Sequence, residues 1–419
     1  MSEAREAAES ADRMVQGDEA GQLLSLLAFL GEGPVPTWLF GEGRDLLPTP
    51  LRDAAAAGTG ALAGPIRELV TRELAEEAEG GVSVPSAVAA AVRDSMTGVE
   101  TSRFAGLAVA LLDRGFPERI GRAEDEGRTR LLAPAVEAAA GHVSGGGEAT
   151  ARAAHLLGRL GSFYGLSGHP EDARRAFESA IALAEGEAGG GPLEGPLRAV
   201  LADEHAAVLA ELDRLEEARR EATRALELAR QALPEDAPQL PVFLLNVGRT
   251  LRRAGDPNGS RTALSTALAR AEAAASPAAR PLALEIRMAL AELALAEGRA
   301  GEAATVAREL LEGIDELEEP ELAARAAWIL GDSLREGGDG EAATDPYRRS
   351  LALDERRYGP GHPGVGQKCL GLGLHLEELG RAAEAREAYA RALAIFEAAL
   401  GADSDAAGVA RGCLERLAP

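Results

Sequence analysis

Between Leu160 and Leu393 one arrangement of small and large apolar positions is written six times. A small residue is followed by a turn residue seven places on, then by small or bulky residues at twelve, sixteen and nineteen. The first copy reads Gly161, Gly168, Ala173, Phe177, Ala180, and the last reads Gly373, Gly380, Ala385, Tyr389, Ala392. The copies between them turn at Asp213, Gly255, Gly298 and Gly338. Equivalent residues Ala173, Ala218, Ser260, Ala303, Ala343 and Ala385 are spaced by 45, 42, 43, 40 and 42 residues. A period of this length in a helical pattern predicts one antiparallel helix pair per unit. Glycine or alanine at the first position lets the two helices approach, and the larger residue sixteen places later fills the space beside it. Glycine at the turn tolerates the left-handed conformation that ends a helix. One pair cannot bury its apolar face alone, so the units must stack into an all-α solenoid.

Two places fit the pattern poorly. The bulky position of the fourth copy is only Ala307, and Pro346 falls inside the second helix of the fifth. A mid-helix proline costs about 3 kcal/mol, which predicts an irregularity near Asp345. Residues 403–417 read as a terminal capping helix. Ahead of the repeats, Gly21 to Leu30 is an apolar helix, and Pro34 to Phe40 is a turn that should bury Trp38, Leu39 and Phe40. A helix near Pro65 to Arg72 precedes a strand-like Glu73 to Glu77, the turn Gly80-Gly81, a strand Val82 to Val84 and a helix from Ser86 to Asp94. Helices with a two-stranded wing predict a winged-helix-like domain over 1–100. Two more helices, about Arg103 to Arg114 and Arg128 to Ala140, make a spacer over 101–150 that ends in the glycine-rich Ser144 to Gly147. The repeats then occupy 151–402 and the cap 403–419.

The repeated residues resemble tetratricopeptide repeats. The long unit, with the tail Ala392 to Glu397 and the connector Tyr358 to Pro363, is similar to the kinesin light chain type. The resemblance implies a right-handed solenoid. The order of winged helix, helical spacer and repeats resembles the part of bacterial NB-ARC signal-transducing NTPases that follows the nucleotide-binding core. That family carries a phosphate-contacting histidine after the second wing strand, and Pro85 stands at that place here. Proline offers a phosphate neither a side-chain donor nor an N–H. A phosphate-binding loop also needs Gly-Lys-Ser/Thr, whereas Lys368 lies in Gly366-Gln367-Lys368-Cys369. The chain therefore reads as a free-standing relative of the sensor half, without ATPase activity, and Met1 followed by a polar, acidic helix reads as a natural start.

Composition narrows the partners. The chain has 419 residues and a formal charge of −24, and Lys368 is the only lysine among 44 basic residues. Such acidity repels phosphate backbones, which disfavours nucleic acid and anionic membranes. The arginine bias fits a GC-rich genome. Cys369 and Cys413 read as buried thiols of a reducing compartment, and no secretory or membrane-spanning stretch is evident, so a cytoplasmic protein is expected.

No catalytic constellation stands out, and the six histidines lack the helical spacing of a metal site, so no cofactor or metal is expected. In Asp203-Glu204-His205 neighbouring side chains point about 100° apart, which favours solvated residues. The candidate site comes from projecting the first helix of each pair, which lines the concave groove in tetratricopeptide solenoids. Asn246, Arg249 and Arg253 fall on one face of the third copy, with Arg252 beside them. Asn246 matches an asparagine that holds a bound peptide backbone in the family. The same face should receive Arg159, Glu292, Arg325, Trp328 and Asp332. Arginines with an aromatic anchor suit a peptide bearing a carboxylate or an acidic stretch. The competing reading pairs those arginines with nearby glutamates and puts Trp328 between repeats. The expected function is a non-enzymatic interaction scaffold or adaptor, with a winged-helix transcriptional regulator as the alternative. Against DNA binding, Pro65 to Arg72 supplies only Arg67 and Arg72, while the wing carries Glu73, Glu76, Glu77 and Glu79.

Overall fold

The computed structural model describes residues 18–56, 62–78, 81–118, 123–187, 189–274 and 279–417. Among them lie twenty α-helices and one two-stranded sheet. The chain divides into two compact units, Met1–Pro234 and Glu235–Pro419, so the division falls between the second and third repeats.

The first unit opens with α1 (Glu19–Leu27), whose N-terminus is capped by Asp18 accepting from the Gly21 N–H at 2.7 Å. Helices α2 (Trp38–Glu42), α3 (Leu51–Ala56) and α4 (Ala63–Thr71) follow. Leu39 and Phe40 are fully buried, as expected; Trp38 is not, and lies at the edge beneath the Arg128 guanidinium. Strands β1 (Glu76–Ala78) and β2 (Gly81–Ser83) pair antiparallel with Glu77 opposite Val82. The first strand thus begins later than Glu73, whose φ of 59° belongs to a turn. Val35 and Val82 exchange both backbone hydrogen bonds, at 2.8 and 3.0 Å, which brings a third segment beside the hairpin. A Cβ on Gly81 would meet the Val35 carbonyl oxygen at 2.0 Å, so only glycine fits there. Helix α5 (Ser86–Ser95) completes this region.

Helix α6 (Gly98–Gly115) starts five residues before the predicted Arg103, because Thr97 and Glu100 form a capping box. It is followed by α7 (Ala123–Gly141) and by the first two repeat pairs, α8 (Glu148–Leu166) with α9 (Pro170–Glu185) and α10 (Gly195–Glu211) with α11 (Leu215–Ala232). One apolar core extends from Ala20 to Val208, so front helices, spacer and the first repeats of this unit are packed together.

The second unit holds the pairs α12 (Leu240–Arg253) with α13 (Pro257–Ala273), α14 (Arg280–Ala296) with α15 (Ala300–Gly313), α16 (Pro320–Glu336) with α17 (Gly340–Tyr358), and α18 (Pro363–Glu378) with α19 (Ala382–Leu400). Helix α20 (Asp405–Arg416) follows at the predicted place, and Ala407, Ala410 and Cys413 are its buried face.

All six predicted turns have the same backbone. Gly168, Gly255, Gly298, Gly338 and Gly380 have φ between 72° and 87°, and Asp213 adopts 59°. At each, the next residue's N–H donates to the carbonyl five residues back at 2.8–2.9 Å, from His169 to Tyr164 in the first copy and Arg381 to Leu376 in the last. This is the long hydrogen bond of a Schellman ending.

The small-against-large rule is equally literal. A Cβ on Gly161, Gly248, Gly331 or Gly373 would stand 2.6–2.8 Å from Phe177, Leu264, Tyr347 or Tyr389 respectively. In the second and fourth copies the first position is Ala206 or Ala291, and its counterpart shrinks to Ala222 or Ala307, all buried. Ala307 is therefore the matched half of an alanine pair, and the fourth copy is regular. Pro346 is a second correction: α17 runs unbroken through Asp345 and Pro346. Its neighbours hold it in place, since Tyr347 is buried against Gly331 and the Thr344 hydroxyl meets His375 Nε2 at 3.1 Å. Packing on both sides offsets the missing backbone donor.

Candidate functional site

In the second unit the first helices of successive pairs, α12, α14, α16 and α18, carry the residues of interest. Asn246 is half-buried on α12. Three residues on, Arg249 donates to the Glu285 carboxylate of α14 at 2.9 Å, and Arg325 of α16 approaches the same carboxylate at 3.7 Å. Arg252 reaches Glu292 at 3.2 Å. Two arginines predicted to meet a ligand thus share one glutamate, and this row of first helices is a ladder of alternating charge. Arg253 is exposed at the end of α12.

Trp328 is half-buried. Its ring lies 4.6 Å from that of Tyr347, edge to face, and covers Gly371 so closely that a Cβ there would meet the indole at 2.7 Å. The Lys368 ammonium sits 4.1 Å from the indole centroid. Tyr347 donates its hydroxyl to Asp332 at 2.6 Å, which fixes the ring that supports the indole. Burial pulls Lys368 down to about 8, against the opposing pull of Asp354 and Asp332. Burial likewise pushes Asp354 up.

Arg159 belongs to the first unit. It donates to Asp113 at 2.9 Å, to the Phe116 carbonyl at 2.8 Å and to the Pro117 carbonyl, and stacks over the Phe116 ring. With its side chain 15% exposed, it ties α8 to the end of α6. Nearby on α10, Glu204 accepts from Ser162 Oγ at 2.7 Å, while His205 is buried with no hydrogen-bond partner at either ring nitrogen. Burial pushes Glu204 up and His205 down. Ahead of the repeats, Arg72 is paired with Glu68 at 2.5 Å, and Glu76 and Glu77 of β1 are exposed.

Sequence reading missed Glu285 and undervalued Lys368. Glu285 lies 36 residues after Arg249, close to one repeat period, so the period alone could have paired them. Lys368 fits no phosphate loop, but its place one repeat beyond Arg325 puts it in the same row. Cys369 and Cys413 are free and buried, and burial pushes the Cys369 thiol up. Among the described residues no His, Cys, Asp and Glu cluster could hold a metal ion, and no helix is long and apolar enough to cross a membrane.

Residues 370–405, which span α18 and α19, match the family model described as tetratricopeptide repeat. No curated protein matches the chain. Among solved structures, a Pyrococcus horikoshii signal transduction ATPase with numerous domains (STAND), bearing a tetratricopeptide repeat sensor, is similar at TM-score 0.61 and 14% identity over 96% of this chain and 54% of that one. The chain therefore spans about half the length of that protein. A tetratricopeptide repeat protein from Parabacteroides merdae is similar at TM-score 0.51 and 14% identity, over 75% of this chain and 98% of the other. A Podosopora anserina kinesin light chain structure with nearly identical TPR-like repeats covers 51% of this chain and 99% of its own at 16% identity and TM-score 0.41. Turn geometry and small-against-large pairing recur in all six helix pairs, one pair matches the tetratricopeptide repeat model over residues 370–405, and the fold is shared with the STAND protein.

Proposed function

We propose that the chain is a non-enzymatic interaction scaffold that takes an extended segment of another protein along the first helices of its repeats. The observation that carries this reading is the polar row on α12, α14 and α16, where Asn246 stands beside arginines held in place by the carboxylates of Glu285 and Glu292. Side chains already fixed by cross-helix pairs lose little freedom when a ligand arrives, so the face is preorganised. Repeat solenoids offer extended surfaces of this kind. Because Arg249, Arg252 and Arg325 are already matched by carboxylates, the face suits an extended polar backbone better than a run of acidic residues. We read the front domain as a winged helix serving as a packing platform rather than a DNA reader, given its acidic wing. By analogy with the STAND protein the scaffold would act as a cytoplasmic sensor or adaptor in bacterial signalling.

The test uses the full chain and a pool of random nonapeptides with free carboxyl termini. Peptides enriched on the wild type are measured by fluorescence polarisation against Asn246→Ala with Arg253→Glu. The expected result is at least about tenfold weaker binding with an unchanged melting temperature. Equal affinity for wild type and double variant would discard the groove reading.

A further inference from the structure

Arginine–glutamate pairs tie several second helices to their neighbours. Arg224 of α11 reaches Glu185 of α9. Between α17 and α19, Arg348 meets Glu384 at 2.8 Å and Arg391 meets Glu355 at 2.5 Å. Helix α7 stands ahead of the first pair and packs on α8, as a preceding second helix would. Among the described residues no such pair joins it to α9. The arginines of α7 turn to Glu42 and Glu126, and those of α9 stay on their own helix with Glu171, Asp172 and Glu178.

What remains between α7 and α9 is a cleft of about 440 Å³, within the range of about 300–1,000 Å³ typical of small-molecule sites. Ala140 and Ala176 face it from the two helices, and Val143, Leu157 and Leu183 supply larger apolar surface. Its charged lining is Glu137, Glu187 and Arg175. The Arg175 guanidinium is taken by Asp172. Glu137 accepts from the Tyr164 hydroxyl at 3.1 Å, and burial pushes that hydroxyl up, so it stays a donor. Among the described residues neither Glu137 nor Glu187 forms an ion pair. Ala140 and Gly141 belong to the last turn of α7, and Ala182 and Leu183 to the last turn of α9. The negative ends of two helix dipoles therefore add to the carboxylates.

We propose that this cleft binds a small organic cation, an apolar body carrying one amine. The apolar lining takes the body, and the amine supplies the positive charge that an arginine brings to the gap between α9 and α11. Two carboxylates against one guanidinium leave the lining negative, and that guanidinium already has its own partner. An anion of the same shape would meet unpaired carboxylates and two helix C-termini, so the site discriminates by charge.

The cleft lies within the first unit and shares no residue with the row of Asn246 and Arg253, so this site and the groove reading stand or fall separately. The probes are 1-naphthylmethylamine and 1-naphthoic acid, measured by equilibrium dialysis against the full chain at neutral pH. Physiological salt screens the general attraction of an acidic chain for cations. The expected result is saturable binding of the amine at one site, with the acid at least about tenfold weaker. Ser179→Trp fills the cleft from an exposed position and should abolish amine binding. Glu187→Gln lies beyond the end of α9 and should weaken the amine about two- to fivefold. Glu415→Gln makes the same change of charge on α20 and should leave the affinity as it was. Absence of amine binding, equal binding of acid and amine, full affinity in Ser179→Trp, or equal effects of Glu187→Gln and Glu415→Gln would each overturn the proposal.

Discussion

Replacing Gly373 by alanine tests the rule that organises the whole array. The new Cβ would lie 2.6 Å from the Cδ1 and Cε1 atoms of Tyr389, about 1 Å inside ordinary carbon contact. Tyr389 cannot retreat easily. Its ring is fully buried, and its hydroxyl donates to Glu377 at 2.6 Å. Alanine gains about 1 kcal/mol over glycine in a helix interior, while overpacking of a filled core costs about 1–3 kcal/mol. The net expectation is a loss of about 0–2 kcal/mol. Gly412→Ala is the control, because no atom lies within 4 Å of a Cβ there; it should show the gain of about 1 kcal/mol without the penalty. In a Tyr389→Ala background, which itself costs about 3–5 kcal/mol, Gly373→Ala should turn stabilising, reproducing the Ala291 and Ala307 pair. Urea midpoints of the full chain, read by far-ultraviolet circular dichroism, give all four values and their coupling. If Gly373→Ala stabilises the wild type as much as Gly412→Ala does, the small-against-large account is wrong.

Glu285→Gln removes the carboxylate shared by Arg249 and Arg325; because all three side chains are partly exposed, stability should fall by less than about 1 kcal/mol. Affinity for a hexaglutamate probe should rise in polarisation measurements, and an unchanged affinity would mean that these arginines do not face the groove. Lys368 gives a pH signature. Its folded value of about 8 lies below the ordinary 10.5, so the unfolded chain binds more protons across that window. Stability should therefore rise with pH between about 8 and 10.5, by at most about 3 kcal/mol, and the destabilisation is complete below pH 8. Chemical denaturation across this range should show the slope in wild type and lose it in Lys368→Met; parallel curves would place the ammonium in water.

The repeat architecture was legible because its determinants are local and periodic. A left-handed turn residue, a small residue seven places before it and a filler nine places after it are all within one hairpin, and the six copies confirm one another. The helix α20 and the two-stranded hairpin followed from similarly short-range signals. Thr97 and Glu100 carry the capping box that moves the start of α6, a signal written within four residues of sequence. Where the local rule was applied one residue at a time, it misled. Ala307 looked like a weak filler until its partner was seen to be Ala291, and Pro346 looked like a break until Tyr347 and Thr344 were seen to be anchored on both sides.

The site was legible only in part. Helical projection placed Asn246, Arg249 and Arg325 on first helices, but which carboxylate each arginine meets depends on the distance and stagger between hairpins. Glu285 is 36 residues from one partner and 40 from the other, and only the packed helices bring all three together. Arg159 drew its partners from the spacer, whose contact with α8 no periodicity encodes. By itself the sequence determined the hairpins, their turns and their number, since steric size and backbone chirality act within a few residues. Tertiary structure alone decided which charges are cancelled and that Lys368 stands over the Trp328 indole within the pull of Asp354 and Asp332. Electrostatics acts through space between residues that the chain keeps far apart.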